Sequence, residues 1–148
     1  MTVLVDTGVV YADYDTDATR HAVASTALEA VYEGELGHPY LSDYVFDEAI
    51  TLTLKRTGSH AAAKRLSDRL RGQGAYPRVF ELVHVSNSIF NEAITMFERY
   101  DDQTLSFTDA ASAALLDRHD IDGILSFDDD FDGVVTRFDP ADVAATHR

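Results

Sequence analysis

The chain has 148 residues, 45% of them hydrophobic, which is the length of one ordinary domain with a sizeable core. Its sequence contains no cysteine, which excludes both a disulfide framework and a thiolate metal site. The 26 acidic residues outnumber the 12 basic ones, and the formal charge of -14 argues against a nucleic-acid-binding surface that covers the whole protein.

The first part of the chain predicts a strand and a helix. Residues 3–5 are a short apolar run that ends at Asp6 and Gly8, as expected of a buried strand that leads into a turn. Apolar residues at helical spacing predict a helix over residues 15–33, which Gly34 ends. The apolar run is far too short for a signal peptide or a membrane span, so we expect a soluble, cytoplasmic protein with no membrane partner.

The remaining elements also alternate between helices and strands. Ser42 and Ser59 are the expected N-caps of a helical pair, over residues 43–56 and from Ser59 to about residue 71. The later elements are, in chain order, a strand over residues 80–85, a helix from Ser86 or Asn87 to about residue 100, a helix over residues 109–119 capped by Thr108, and strands over residues 123–127 and 134–138. This alternation predicts an α/β fold with a mostly parallel sheet between helices. Because no repeat or linker interrupts the chain, we expect a single domain over residues 1–148.

Four acidic residues occur where such a sheet would bring them together. Ligands of parallel α/β sheets bind beyond the carboxyl ends of the strands. Asp6 ends the first strand, Asp128 follows a later strand, and Asp109 lies in the first turn of a helix. Glu48 lies at the edge of the apolar stripe of its helix, so its carboxylate can face the same site. These positions predict a cluster of carboxylates from remote parts of the chain.

Each of these acids also has a purely structural interpretation. Asp109 can stabilise a helix N-terminus through the macrodipole, Asp6 can form a turn, and Glu48 can border a surface helix. Residues 128–132 include four aspartates, of which we expect at most two to face a site. The joint pattern is the stronger signal, because four independent acids at one sheet edge are hard to ascribe to chance.

The acidic balance of the whole chain is typical of a protein that works in concentrated salt. Aspartate outnumbers glutamate, and Lys55 and Lys64 are the only lysines. Near 1 M salt the Debye length falls to roughly 3 Å, so repulsion between surface carboxylates has little effect. We therefore predict a halophilic source and judge each carboxylate by its position in the fold.

One stretch of the chain concentrates the basic residues. Seven of the twelve lie between Lys55 and Arg78, where Asp68 is the only acid. Such a stretch is either a solvated helix face or a patch that binds the phosphates of a nucleic acid. The candidates for nucleic-acid contact are Lys55, Arg56, Lys64, Arg65 and Arg69.

The acids occur within four segments that resemble the successive motifs of PIN-domain ribonucleases, in particular the VapC toxins of toxin-antitoxin pairs. The segments are Val-Leu-Val-Asp-Thr-Gly at residues 3–8, Asp-Glu-Ala at 47–49, Leu-Ser-Phe-Thr-Asp-Ala at 105–110 and Ile-Leu-Ser-Phe-Asp-Asp-Asp-Phe at 124–131. They follow the order of the family, and the resemblance extends from Val3 to about Phe138. The third and fourth segments are the most distinctive.

The resemblance implies a three-layer α/β/α sandwich and a metal-dependent endoribonuclease. The matching positions are Asp6, Glu48 and Asp109 for the first three acids of the family, Asp128 for the fourth, with Asp130 as a second possibility, and Thr7 and Ser126 for the hydroxyl residues that often lie beside the metal. The surplus acids Asp129 and Asp132 blur which residue takes the fourth position.

The expected chemistry is that of a hard divalent cation, Mg²⁺ or Mn²⁺, which prefers oxygen ligands and often takes only one or two carboxylates directly. We expect direct ligation by Asp6 and Asp109, with Asp128 or Asp130 completing the metal site. Glu48 or Asp128 is then expected to orient or deprotonate the attacking water. The resemblance also implies an RNA substrate, a homodimer and a small antitoxin whose tail enters the acidic cleft.

Two other functions remain open from the sequence. A nuclease with the same fold can serve RNA maturation or decay without any toxic role. A catalytically silent domain can bind RNA or a protein partner, with its acids serving only solubility in salt. Replacement of Asp6 or Asp109 separates the silent domain from both nucleases.

Overall fold

The computed structural model describes residues 1–102 and 104–147 and contains a five-stranded parallel sheet. Its strands are β1 (Thr2–Val5), β2 (His38–Ser42), β3 (Glu81–Val83), β4 (Gly123–Leu125) and β5 (Arg137–Phe138). Their order across the sheet is β3-β2-β1-β4-β5, and every adjacent pair is parallel. The order of the strands therefore reverses between β1 and β4, where open α/β sheets bind their ligands.

Seven α-helices accompany the sheet within the described residues. They are α1 (Thr7–Tyr14), α2 (His21–Tyr32), α3 (Asp43–Thr57), α4 (His60–Arg71), α5 (Asn87–Arg99), α6 (Phe107–Arg118) and α7 (Pro140–Thr146). One turn of 3₁₀ helix (Asp129–Phe131) follows β4. Across the same residues, no helix combines the length and the apolar character needed to cross a membrane.

The sheet separates two apolar cores. Val3 and Val5 of β1 pack with residues of α1 to α4, whereas Leu4 packs with residues of α5 and α6 on the opposite face. The side chains of β4 divide in the same way, with Leu125 on the first face and Ile124 on the second. Both central strands are buried on both faces, as in other parallel sheets. The predicted α/β fold with helices on both sides is confirmed.

The segment after β1 differs from the prediction. The turn expected after Asp6 is the N-terminus of α1, and the helix expected over residues 15–33 is confined to α2. The helix α1 lacks a one-sided apolar stripe because its consecutive residues Val9, Val10 and Tyr11 are all buried. The helical periodicity that revealed α2 is therefore missing from α1.

Three smaller features also differ from the prediction. Neither β2 nor α7 was expected, and β2 contains Pro39, a residue that weakens any strand signal. The helix α6 begins at Phe107, two residues earlier than predicted, and its cap is Ser106 instead of Thr108. The Ser106 hydroxyl accepts a hydrogen bond from the backbone N–H of Asp109 at 3.1 Å. The earlier start of the helix fixes the position of Asp109 in the first turn.

Candidate active site

Asp6 lies at the junction of β1 and α1 and is almost completely buried. Its backbone N–H donates to the carbonyl of Leu125 at 3.1 Å, which extends the pairing of β1 with β4. One carboxylate oxygen accepts from the backbone N–H of Thr7 at 2.9 Å and thereby caps α1. The other accepts from the hydroxyl of Ser126 at 2.6 Å. The strand order of the sheet thus brings residues 6 and 126 into direct contact.

The electrostatic environment of Asp6 favours the neutral acid. Burial is the main cause that raises the pKa of Asp6 to about 6, against an ordinary value of 3.8. The hydrogen bond from Ser126 opposes this shift, and the negative charges of Asp109 and Glu48 add to it. Two carboxylates from remote parts of the chain therefore contribute to the raised pKa of Asp6.

Asp109 is held in place by a capping box at the start of α6. Its carboxylate accepts from the backbone N–H of Ser106 at 3.2 Å, and its own N–H donates to the Ser106 hydroxyl. Partial burial raises the pKa of Asp109, and the charges of Asp128 and Glu48 raise it further, although its hydrogen bonds with Ser106 act in the opposite direction. Asp109 therefore stabilises the N-terminus of α6, as its structural interpretation expected, although it does so through a capping box, and this role is compatible with a place in the acidic cluster.

Glu48 projects from α3 towards the same cluster and is solvent-exposed. Its carboxylate accepts from the hydroxyl of Thr7 at 2.6 Å. Because the backbone N–H of Thr7 also binds Asp6, this single residue connects two of the acids. Both predicted hydroxyl residues, Thr7 and Ser126, thus hold carboxylates of the cluster.

The three consecutive aspartates after β4 place carboxylate oxygens within 4.8 Å of one another, but their hydrogen bonds differ. The carboxylate of Asp128 accepts from the N–H of Asp130 at 2.9 Å, while its own N–H donates to the Ser126 hydroxyl at 3.0 Å. Asp130 accepts a hydrogen bond from Thr104, and Asp132 pairs with Arg137 at 2.9 Å. Asp128 and Asp129 line the same cleft as Asp6, Glu48 and Asp109, whereas Asp130 and Asp132 do not. This placement favours Asp128 over Asp130 as the fourth acid.

These side chains surround an open cleft of about 640 Å³, which we call the acidic cleft. Its lining includes all four predicted catalytic acids, and the residues are Asp6, Thr7, Gly8, Arg20, Glu48, Thr104, Ser106, Asp109, Ser126, Phe127, Asp128 and Asp129. Carboxylate oxygens are the ligands that Mg²⁺ and Mn²⁺ prefer. Burial is the main cause that raises the pKa values of Asp6 and Asp109, and repulsion from the neighbouring carboxylates, which a bound cation relieves, adds to it. The donor set therefore fits a hard divalent ion.

Arg20, which no sequence pattern indicated, also lines the cleft. It is an isolated base in the turn between α1 and α2, outside every recognised segment. Its guanidinium carbon lies 4.7 Å from the centre of the Phe127 ring. The approach of this turn to β4 depends on α1, the helix that was not predicted.

The basic residues between Lys55 and Arg69 are not equivalent. Lys64 pairs with Asp68 at 2.8 Å on the surface of α4, and Arg69 pairs with Asp13 at 2.8 Å. Lys55 is exposed at the end of α3. Arg56 and Arg65 line a second cleft of about 710 Å³, together with the tyrosines and aspartates of α1 and the turn that follows it. Arg69 instead lines a separate pocket with Tyr32 and Phe80, so Arg56 and Arg65 are the two of the five candidates that line this cleft.

The second cleft, which we call the α1–α3 groove, lies beside the acidic cleft. Thr7 and Glu48 line the acidic cleft, whereas Tyr11 and Arg56 line the groove. Glu48 and Arg56 are two helical turns apart on one face of α3, which is about 12 Å. The guanidinium of Arg56 lies 5.1 Å from the centre of the Tyr11 ring. The acidic cleft and the α1–α3 groove therefore both lie along helices α1 and α3.

Comparison with known proteins identifies the family. The PIN domain family model matches residues 3–135, and the chain belongs to this family. Among solved structures it is similar to VapC20 of Mycobacterium tuberculosis, a sarcin-ricin loop cleaving toxin, with 27% identity and a TM-score of 0.75 over 88% of this chain and 93% of that chain. No curated protein matches the sequence significantly.

Two more distant structures share the fold. FitAcB from Neisseria gonorrhoeae is 17% identical with a TM-score of 0.66, and a toxin-antitoxin complex from Klebsiella pneumoniae is 19% identical with a TM-score of 0.64. Each comparison covers 93% of this chain and 97% of the other. The resemblance to PIN-domain ribonucleases of the VapC type, expected from four short segments, is confirmed.

The raised pKa of Asp6 predicts a specific pH dependence of stability in the metal-free protein. The folded state keeps the Asp6 proton up to about pH 6, whereas the unfolded chain releases it near 3.8. Protonated Asp6 therefore makes its full contribution to the free energy of unfolding below about pH 4, and this contribution is lost as the pH rises through about 6. The loss corresponds to about 3 kcal/mol. Asp6→Asn, which stays neutral, should lack this loss.

Urea unfolding in EDTA at several pH values measures the effect. The stability difference between the parent protein and Asp6→Asn should change steeply between about pH 4 and pH 6 and level off above it. Asp117→Asn, a change at an exposed position of α6, serves as the control and should follow the parent. Parallel profiles for the parent and Asp6→Asn would show that Asp6 titrates normally.

Proposed function

We propose that this chain is a metal-dependent endoribonuclease and the toxin of a toxin-antitoxin pair. The observation that carries the proposal is the convergence of Asp6, Glu48, Asp109 and Asp128 on one cleft at the reversal of strand order. The similarity to VapC20, a sarcin-ricin loop cleaving toxin, supports a nuclease activity of this kind.

The proposed cofactor is Mg²⁺ or Mn²⁺. Asp6 and Asp109 are the proposed direct ligands, because hydrogen bonds hold both carboxylates in the cleft and burial disfavours their negative charge. Asp128 is the next ligand, and Asp130, whose carboxylate is engaged by Thr104, is the weaker candidate. When bound, such a cation polarises the phosphodiester and offsets the charge of the acids.

The protein groups of the cleft then position the water and the substrate. Glu48 is the best placed base, because it is exposed and the Thr7 hydroxyl fixes one of its carboxylate oxygens. Its other oxygen is available to orient a water and take its proton. The Ser126 hydroxyl donates to the carboxylate of Asp6 and accepts from the backbone N–H of Asp128, and so fixes the relative position of these two acids.

The proposed substrate is RNA, which enters along the α1–α3 groove. The net charge of -14 makes phosphate binding unfavourable over most of the surface. Arg56 and Arg65 place two cations in a groove beside the acidic cleft, which supports this path for the backbone. Lys55 is adjacent to Arg56 in the sequence and can add to the positive charge near the groove. The ion pairs of Lys64 and Arg69 reduce what these two residues contribute to phosphate binding.

The groove predicts a measurable salt dependence. Replacing both Arg56 and Arg65 by Gln should weaken RNA binding and flatten the slope of log K against log salt by about 1.4, because each lost contact with a single strand removes about 0.7. Arg71→Gln, at an exposed position of α4 outside the groove, is the matched control and should leave the slope unchanged. Fluorescence anisotropy with a labelled RNA 20-mer measures both, and an unchanged slope in the double variant would exclude the groove as the RNA path.

The proposed partners are a small antitoxin and a second copy of the chain. Toxin-antitoxin assemblies among the structural neighbours support the antitoxin. Phe90 and Phe97 of α5 remain 41% and 46% exposed and pack at 5.6 and 5.9 Å from the Phe107 ring, which forms an apolar surface suited to a dimer.

Sedimentation equilibrium should give about twice the chain mass of 16.3 kDa, and Phe97→Glu should return it to the monomer value. A monomeric parent protein would contradict the dimer.

The nuclease proposal predicts the loss of activity in two variants. Asp6→Asn and Asp109→Asn should each reduce RNA cleavage in Mg²⁺ by at least about 100-fold, since even outer partners of metal ligands are worth 10–100-fold. Both asparagines keep an oxygen that can cap the helix, so the fold should persist. Cleavage is read on labelled RNA, with Asp117→Asn of α6 as the active control. If both cleft variants cleave like the parent, the mechanism is wrong.

Expression in growing cells tests the toxin role separately. The parent protein should arrest growth, the two inactive variants should not, and co-expression of the protein encoded by its genomic neighbour should relieve the arrest. Cleavage of RNA without growth arrest would point to RNA maturation or decay instead. Absence of cleavage by the parent protein would leave only the silent binding domain.

A further inference from the structure

Arg20 is the only basic residue among the described residues that line the acidic cleft. It lies immediately before α2, is exposed, and shares the cleft with five carboxylates. Every other charged side chain in this lining is negative.

The guanidinium of Arg20 rests on an aromatic ring instead of a carboxylate. Its central carbon lies 4.7 Å from the centre of the Phe127 ring, within the range of a cation–π contact. Within residues 1–102 and 104–147 it forms no ion pair, although Asp128 and Asp129 adjoin Phe127 in sequence and line the same cleft. Arg69 and Arg137, in contrast, are paired with carboxylates.

Stacking on a ring leaves the hydrogen-bonding capacity of an arginine unused. A guanidinium is planar and carries its N–H donors in that plane, so an aromatic face beneath it does not occupy them. The fork formed by these donors matches two oxygens of a phosphate. Phe127 follows Ser126, whose hydroxyl binds Asp6, and the ring that supports Arg20 lines the same cleft as the acids.

We propose that Arg20 binds a phosphate of the RNA backbone at the acidic cleft, with Phe127 positioning its guanidinium. This inference rests on the proposed nuclease function and adds a residue that contacts the substrate. The carboxylates of the cleft repel the RNA backbone, and Arg20 supplies the charge and the paired donors that offset this repulsion. The contact is separate from the α1–α3 groove, which Arg20 does not line.

Steady-state cleavage of a labelled RNA by the full-length protein in Mg²⁺ is the first test. Arg20→Gln should lower kcat/KM by about 10- to 100-fold, the range for a hydrogen bond with a charged group. Arg20→Lys should recover only part of the loss, because it restores the charge without the fork. Arg99→Gln is the matched control, since Arg99 is also exposed and lies 5.6 Å from the Tyr100 ring, but outside the cleft. It should cleave like the parent.

Binding of intact RNA is the second test and does not depend on catalysis. In an Asp6→Asn background, adding Arg20→Gln should weaken binding of a labelled RNA 20-mer and reduce the slope of log K against log salt by about 0.7, as expected for one lost phosphate contact. Adding Arg99→Gln should change neither. Thermal unfolding of each variant shows whether the fold is intact.

The outcomes separate this inference from the nuclease proposal. If the parent cleaves RNA and Arg20→Gln cleaves equally well with an unchanged salt slope, Arg20 does not bind the substrate. A lower melting temperature with unchanged RNA binding would make Arg20 a structural support of Phe127, and the inference would also be wrong. If the parent does not cleave RNA, the nuclease proposal fails, and the salt slope alone decides whether Arg20 contacts RNA.

Discussion

The constraint on which the site depends is the confinement of several carboxylates at one edge of a parallel sheet. Two like charges at ~4 Å cost about 4 kcal/mol at an effective dielectric near 20, so such a cluster persists only if the fold holds it. Here β1 and β4 are neighbours, and the hydroxyl of Ser126 at the end of β4 donates to the buried carboxylate of Asp6. The strand order thus creates the acidic cleft.

The acids of the cleft also stabilise the backbone that carries them. Asp6 caps α1, Asp109 completes the capping box of α6, and Asp128 caps the 3₁₀ turn. A backbone N–H therefore fixes one oxygen of each side chain, and Ser126 also holds the second oxygen of Asp6, which removes rotamer freedom before any ligand binds. The structural and the functional interpretations of these acids are two consequences of the same hydrogen bonds. Replacement by asparagine separates them, because it removes the charge and keeps the cap.

The sequence predicted the parts of the site that depend on strand ends and helix starts. Asp6, Asp109 and Asp128 follow from such local signals, and the cleft includes all three. The choice of Asp128 over Asp130 depends on how the turn after β4 is wound, which no periodicity encodes. Arg20 reaches the cleft only because the unpredicted helix α1 returns the chain to the sheet. The halophilic source inferred from composition stays a prediction.

Crystals soaked in Mn²⁺ test the central claim most directly, because anomalous scattering locates the ion without any assumption about activity. The account predicts a peak in the cleft, within bonding distance of the carboxylates of Asp6 and Asp109. Asp128, Asp129 and Asp130 form one group of possible ligands after β4, and Glu33, Glu35 and His147 form a separate surface group that provides an internal comparison. A peak at that surface group alone, or no peak near Asp6 in saturating Mn²⁺, would contradict a metal-dependent active site.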